Sequence, residues 1–234
     1  MTTRLFGSRL SPFVEKVARA LAYKGLPFTL VEPRSPTDFK RWNPQTGKMP
    51  VLEIDGERTW DSTRILAMLD ERQPSPALYA ADATVAARQR FLEDWSDEAL
   101  YWYVMGLRWA PVNATATATQ VAATLPIPPL ARTLVRPILR RQIGRAATAQ
   151  GLQRLPLDVL LLELRHRFDE LIVWLGDRPF LFADQPTGAD FAIFGQLSTL
   201  RTGPTPQGAA LVDARPALVE WMRRIDAAAP ITGA

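Results

Sequence analysis

Residues 48–62 read Lys-Met-Pro-Val-Leu-Glu-Ile-Asp-Gly-Glu-Arg-Thr-Trp-Asp-Ser, a run that spells strand, tight turn, strand and helix start in succession. Pro50 to Ile54 is a strand, Asp55-Gly56 is a strong tight-turn signal, and Arg58-Thr59-Trp60 returns as the hairpin partner. Asp61-Ser62 then supplies capping side chains to a helix that runs to about Glu71 on Ile65, Leu66 and Leu69 and is stopped by Pro74-Ser75-Pro76. Upstream, residues 4–6 make a short strand. Pro12 to Lys24 follow as an amphipathic helix with Val14, Val17, Ala18 and Leu21 on one face. Pro12 suits its first position and Gly25 the left-handed residue that ends it. Phe28 to Val31 reads as a second strand, and the segment to Trp42 as a loop with a helical turn. The order β-α-β-β-β-α defines a small layered α/β domain.

Beyond Tyr79 the strand signal disappears. Val85 to Trp109 reads as one long helix interrupted only at Gly106. The Ala/Thr stretch 113–124 and Pro126, Pro128 and Pro129 read as a flexible or irregular connection. The arginine segment beyond it carries Pro137, which opposes continuous helix. Leu157 to Leu175 is the clearest helix, with Gly176 as its stop, and two more follow over Gly188 to Thr202 and Pro216 to Ala228. With 234 residues the chain is comfortable as two units, an α/β domain over 1–79 and an all-α domain over 80–234.

Composition excludes whole classes of chemistry. There is no cysteine, so the chain has no disulfide, no thiolate metal site and no cysteine nucleophile of its own. His166 is the only histidine, which excludes a metal site built on several imidazoles. The N-terminus lacks the apolar stretch of a secretory signal, and no apolar run approaches the ~20 residues of a membrane span, so a cytoplasmic protein is expected. Net charge is only +4, but no acidic residue lies between Glu98 and Asp158, whereas Arg108, Arg132, Arg136, Arg140, Arg141, Arg145 and Arg154 all do. Arg132, Arg136 and Arg140 fall at four-residue spacing and would form one basic helical stripe. That stripe reads as a solvated face, or as a contact for an anion, an acidic partner or a membrane surface. Nucleic acid is disfavoured because no binding motif accompanies the charge.

Three short signals gain meaning from their order. Ser11-Pro12-Phe13 sets a hydroxyl at the start of the first helix, where free N–H groups favour negative charge. Lys48-Met49-Pro50 opens a strand with a proline that can hold a cis bond and expose the backbone of Met49 to an extended ligand. Asp61-Ser62 puts a carboxylate and a hydroxyl at another helix N-terminus. Taken singly, these are an N-cap, an edge-strand proline and a capping pair. Thr187-Gly188-Ala189-Asp190 forms a capping box, a structural feature with its own physical reason.

Jointly, on this template, the signals resemble the glutathione transferase superfamily over nearly the whole chain, with a thioredoxin-like N-terminal domain and a helical C-terminal domain. The resemblance is to the serine-type classes. Further likeness to the metaxin and failed-axon-connections branch lies in Tyr101-Trp102, Arg108-Trp109, the arginine segment ending at Gln150-Gly151, and 176–181. It implies that Ser11 stabilises the thiolate of glutathione for attack on a small hydrophobic electrophile, with no metal, in a homodimer. It further implies that Phe13, Lys48, Met49, Pro50, Asp61 and Ser62 bind the tripeptide, with Thr187 and Asp190 capping the central buried helix. Ser8 is the rival hydroxyl, less favoured because Ser11 directly precedes the proline.

Tyr101, Met105 and Trp109 share one face of the long helix and are candidates for the electrophile site, or else ordinary interdomain or subunit core. A different class of function stays open beside the enzyme: a non-catalytic adaptor on the same fold that uses residues 132–145, with Arg136, Arg140 and Arg141, against an acidic partner or a membrane surface.

Overall fold

The computed structural model describes residues 2–231. Strand β1 (Thr3–Phe6) pairs in parallel with β2 (Thr29–Val31) and antiparallel with β3 (Val51–Ile54), and β3 continues through the Asp55-Gly56 turn into β4 (Glu57–Trp60). The sheet order is β2-β1-β3-β4. Both turn residues have positive φ, 50° and 91°, the conformation the Asp-Gly dipeptide favours. Helices α1 (Pro12–Tyr23) and α3 (Ser62–Arg72) lay Val14, Val17, Leu21, Ile65, Leu66 and Leu69 against Leu5, Leu52 and Ile54. Between them the turn before Trp42 is a short helix, α2 (Asp38–Trp42).

From residue 83 onward the regular elements among the described residues are helices, apart from an isolated bridge between Phe180 and Ala183. α4 (Ala83–Trp95) runs through a π-helical turn at Ser96–Leu100 into α5 (Tyr101–Arg108). The irregularity of the long helix therefore lies at 96–100 and not at Gly106, which stays helical. A Cβ at Gly106 would stand 3.4 Å from Leu160, so the glycine serves close helix packing.

The expectation of an irregular 113–124 is also corrected: Ala114–Thr124 is helix α6. Tertiary contacts override the weak propensity of its threonines, since Ala114, Ala118 and Ala122 are buried and Thr117 Oγ1 donates to the Arg108 carbonyl at 2.7 Å. The arginine segment forms one helix, α7 (Pro129–Gln150), with Pro137 inside it on an exposed position.

α8 (Leu157–Leu175) ends at Gly176 with φ 55°, and α9 (Gly188–Thr202), α10 (Pro206–Asp213) and α11 (Pro216–Ala228) complete the fold. α10 had no counterpart in the sequence reading. Its Gly208 lets Leu200 and Leu107 approach a Cβ position to 3.0–3.2 Å.

α9 is the axis of the helical half. Every residue from Gly188 to Leu197 is buried, as a helix enclosed on all sides by other elements requires. Asp190 stands at its start and accepts hydrogen bonds from the Leu181 and Thr187 amides, the Thr187 hydroxyl and Trp221 Nε1, at 2.7–2.9 Å. Burial pushes its carboxyl up to about 6 despite these donors. At Gly195 a Cβ would come within 2.4 Å of the Pro12 carbonyl oxygen, so α9 touches the first turn of α1 at backbone distance. That contact fixes where Ser11 sits relative to the helical half.

Candidate active site

Ser11 is the N-cap of α1, with φ −87° and ψ 121°, and is half-buried. Its Oγ accepts the Val14 amide at 3.4 Å, which uses the oxygen as acceptor and leaves the O–H proton for an anion at the helix N-terminus. Ser8 Oγ similarly accepts the Leu10 amide at 3.3 Å, outside any helix. Ser11 therefore combines a hydroxyl with the dipole of a twelve-residue helix, and Ser8 does not.

The Met49–Pro50 peptide is cis, and Met49 lies just outside the ladder, which begins at Val51. Lys48 is exposed, with its backbone held by Thr46 Oγ1 and Asn43 Nδ2 at 3.1 and 3.0 Å. Asp61 caps α3 through the Arg64 amide at 3.1 Å and has φ 78°, a conformation unfavourable for a residue with a side chain.

Ser62 is buried beside a network that sequence reasoning did not find. Lys16 Nζ, on the fully buried side chain of Lys16, reaches Glu93 at 2.7 Å, Asp97 at 2.6 Å, Thr63 Oγ1 at 3.0 Å and Ser62 Oγ at 3.3 Å. The Tyr79 hydroxyl donates to Glu93 at 2.6 Å. Burial pulls the Lys16 ammonium down, and Glu93 and Asp97 outweigh it to leave the ammonium raised. Burial lifts Asp97 to about 6 against the pull of Lys16. This cluster joins α1 and α3 to α4. Glu93 and Asp97 lie four residues apart on the long helix, the one sequence signal that could have pointed to it.

The candidates on the long helix separate. Tyr101 meets Phe13 with ring centroids 5.1 Å apart, so α5 touches the first turn of α1. Met105 and Trp109 pack instead in a cluster with Ala114, Ala118, Val121, Leu139 and Ile143, and Trp109 is only 4% exposed. A small polar cleft of about 40 Å³ opens beside Ser11, lined by Arg9, Arg108, Gln120, Ser198 and Thr199 among others. Met105 and Trp109 do not line it.

On α7, Arg140 and Arg141 are exposed and Arg136 is partly so, beside the exposed Leu130, Leu134 and Ile138. No helix among the described residues is long and apolar enough to cross a membrane.

Comparison with known proteins identifies the family. The family model for the glutathione S-transferase N-terminal domain matches residues 5–77, and that for the glutathione S-transferase C-terminal domain matches 164–225. The chain belongs to the glutathione S-transferase superfamily, a family that uses glutathione as substrate. It is similar to an isoprene-epoxide glutathione S-transferase of Rhodococcus sp. (strain AD45), with 24% identity over 92% of this chain and 91% of that protein. It also resembles glutathione transferase GST 23 of Zea mays, at 33% identity over 52% of this chain and 59% of that one. Among solved structures, a tau-class glutathione S-transferase from mango, Mangifera indica, superposes with TM-score 0.65 and 21% identity over 97% of this chain and 89% of that one.

Proposed function

We propose that the protein is a serine-type glutathione transferase that binds glutathione at the sheet edge, ionises its thiol at Ser11 and conjugates the sulfur to an electrophile. Residues 1–79 form the glutathione-binding domain and 80–234 the helical domain, and the chain forms a homodimer, the assembly typical of the family. The observation that carries this reading is Ser11, an N-cap hydroxyl whose proton is uncommitted, at the edge of a cleft between α1, α5, α6 and α9.

The magnitudes suffice. A thiol of pKa ~8.5 is about 3% thiolate at pH 7, and lowering its pKa by about two units takes roughly 2.7 kcal/mol of preference for the anion. One hydrogen bond to a charged group supplies ~1.5–3 kcal/mol, and a helix N-terminus adds ~0.3–1. Ser11 donates and does not attack, since no basic side chain is hydrogen-bonded to its hydroxyl among the described residues. The cis Met49–Pro50 segment offers backbone groups to the extended tripeptide, Lys48 its charge, Phe13 a flanking wall, and Asp61 with Ser62 the polar end of α3. Tyr101, through its contact with Phe13, borders the acceptor side.

Ser11→Ala is expected to leave glutathione affinity within about twofold and to slow conjugation to chlorodinitrobenzene about 10- to 100-fold, the equivalent of one charge-assisted hydrogen bond. Steady-state kinetics with calorimetric binding checks this, and an unchanged rate rejects the assignment of Ser11.

A further inference from the structure

Arg108 closes α5 and is 5% exposed. The other two buried cations among the described residues, Lys16 and Lys24, each meet a carboxylate at 2.7 Å or less. Arg108 meets none. Its guanidinium makes one side-chain hydrogen bond, Nη2 to Gln120 Oε1 at 3.0 Å, and its buried Nε–H has no acceptor among the described residues. A buried charge without a counter-ion is destabilising, and burial accordingly pushes this guanidinium below its ordinary range. The arrangement makes physical sense when the missing anion arrives with a ligand.

The surroundings say which ligand. Arg108 and Gln120 line the cleft that Ser11 borders, and Arg9 belongs to the same lining. The whole stretch from Ala99 to Leu157, which supplies α5 and α6, contains no acidic residue. The one carboxylate in the lining, Glu15, is held by Arg19 at 2.8 Å. The cleft thus offers a cation, an amide and hydroxyls, and lacks an uncompensated negative charge. A planar guanidinium with unused N–H donors is matched to a carboxylate, which accepts two parallel hydrogen bonds.

We propose that Arg108 sets acceptor specificity: it binds a carboxylate carried by the electrophile and so turns the electrophilic carbon towards the sulfur held at Ser11. This rests on the reading of Ser11 as the thiolate site. In the transfer step the sulfur forms a bond to that carbon, and the leaving group departs with the electron pair of the bond that breaks. Arg108 neither gives nor takes a proton. Met105 and Trp109 do not line this cleft, so Arg108 is the side chain there that distinguishes a charged acceptor from a neutral one.

The test compares para-fluoro-meta-nitrobenzoate with its uncharged amide as acceptors for glutathione, each rate taken relative to its uncatalysed reaction. The wild type is expected to favour the acid by about 10-fold or more in kcat/KM, as expected for a buried cation left unpaired by the amide. Arg108→Gln is expected to lose about 10- to 100-fold on the acid and less than about threefold on the amide, with Arg108→Lys between them. The ultraviolet thiolate signal of bound glutathione stays unchanged in both variants. Thermal midpoints control for folding, and the Arg108→Gln midpoint should not fall below that of the wild type, because an uncompensated buried charge has gone.

Binding of the two glutathione conjugates to the wild type by calorimetry gives the same comparison without any variant, with the acid conjugate expected to bind more tightly. Equal treatment of acid and amide by the wild type overturns the proposal, as does an equal loss on both acceptors in Arg108→Gln. Loss of the thiolate signal in Arg108→Gln would place the arginine on the sulfur, overturning the acceptor role while leaving Ser11 intact. Failure of the wild type to bind glutathione would overturn both.

Discussion

Asp190→Ala is expected to lower the thermal midpoint by about 10–15 °C and to leave part of the chain unfolded at physiological temperature. The carboxylate accepts from the Leu181 amide, the Thr187 amide and hydroxyl, and the Trp221 indole, all within 2.9 Å and all buried. Alanine leaves each donor without a partner, at about 1–3 kcal/mol apiece, so the loss is at least ~4 kcal/mol against a typical total of 5–15. Asp190→Asn keeps one oxygen and is expected to cost roughly half as much. Differential scanning calorimetry decides the matter, and a midpoint shift under about 3 °C would show that α9 is held by apolar packing alone.

Lys16→Met should be almost as damaging, with a pH dependence that identifies its cause. The ammonium is the counter-ion of two buried carboxylates, Glu93 and Asp97, and removing one side of such a cluster costs about 3–5 kcal/mol. Burial already lifts Asp97 to about 6, and without Lys16 it rises further. A carboxyl raised in the folded state retains its proton there at a pH where the unfolded chain has lost it. Stability of the variant therefore falls as pH rises from about 4 through the folded pKa of Asp97. The deficit against the wild type is small near pH 4 and full by about pH 8. Denaturant titrations across that range measure it, and adding Glu93→Gln and Asp97→Asn to Lys16→Met should recover more than half of the loss. A deficit independent of pH would instead mean that packing of the lysine stem, and not its charge, holds α1 to α4.

These two clusters differ in how far the sequence showed them. The Asp190 box was readable because both partners lie within one helical turn at a helix start, where the spacing carries the chemistry. Its tie to Trp221 was not, since that contact spans 31 residues. The strands, the Asp-Gly turn, the Ser11 cap and the limits of α8 were readable for the same local reason, each marked by Pro, Gly or a capping hydroxyl at the boundary.

Lys16 was hidden because a lysine on an amphipathic helix ordinarily reads as solvated, and its acidic partners stand 77 and 81 residues away. α6 departs from its sequence pattern because alanine and threonine between prolines signal a loop, whereas burial against its neighbours decides the outcome. At the site, the order of Ser11, Met49-Pro50 and Asp61-Ser62 carried the family, but an isolated helix face could not tell that Met105 and Trp109 turn towards α6 and α7 while Arg108 lines the cleft.

Conversion of bound glutathione to its thiolate by Ser11 is open to a single titration. Glutathione is added to the purified protein near neutral pH while the ultraviolet absorbance of the thiolate is recorded, for the wild type and for Ser11→Ala. A saturable thiolate signal in the wild type that disappears in a variant still binding glutathione is the predicted result. Saturable binding with no thiolate signal in the wild type, or a signal that survives in Ser11→Ala, would contradict it.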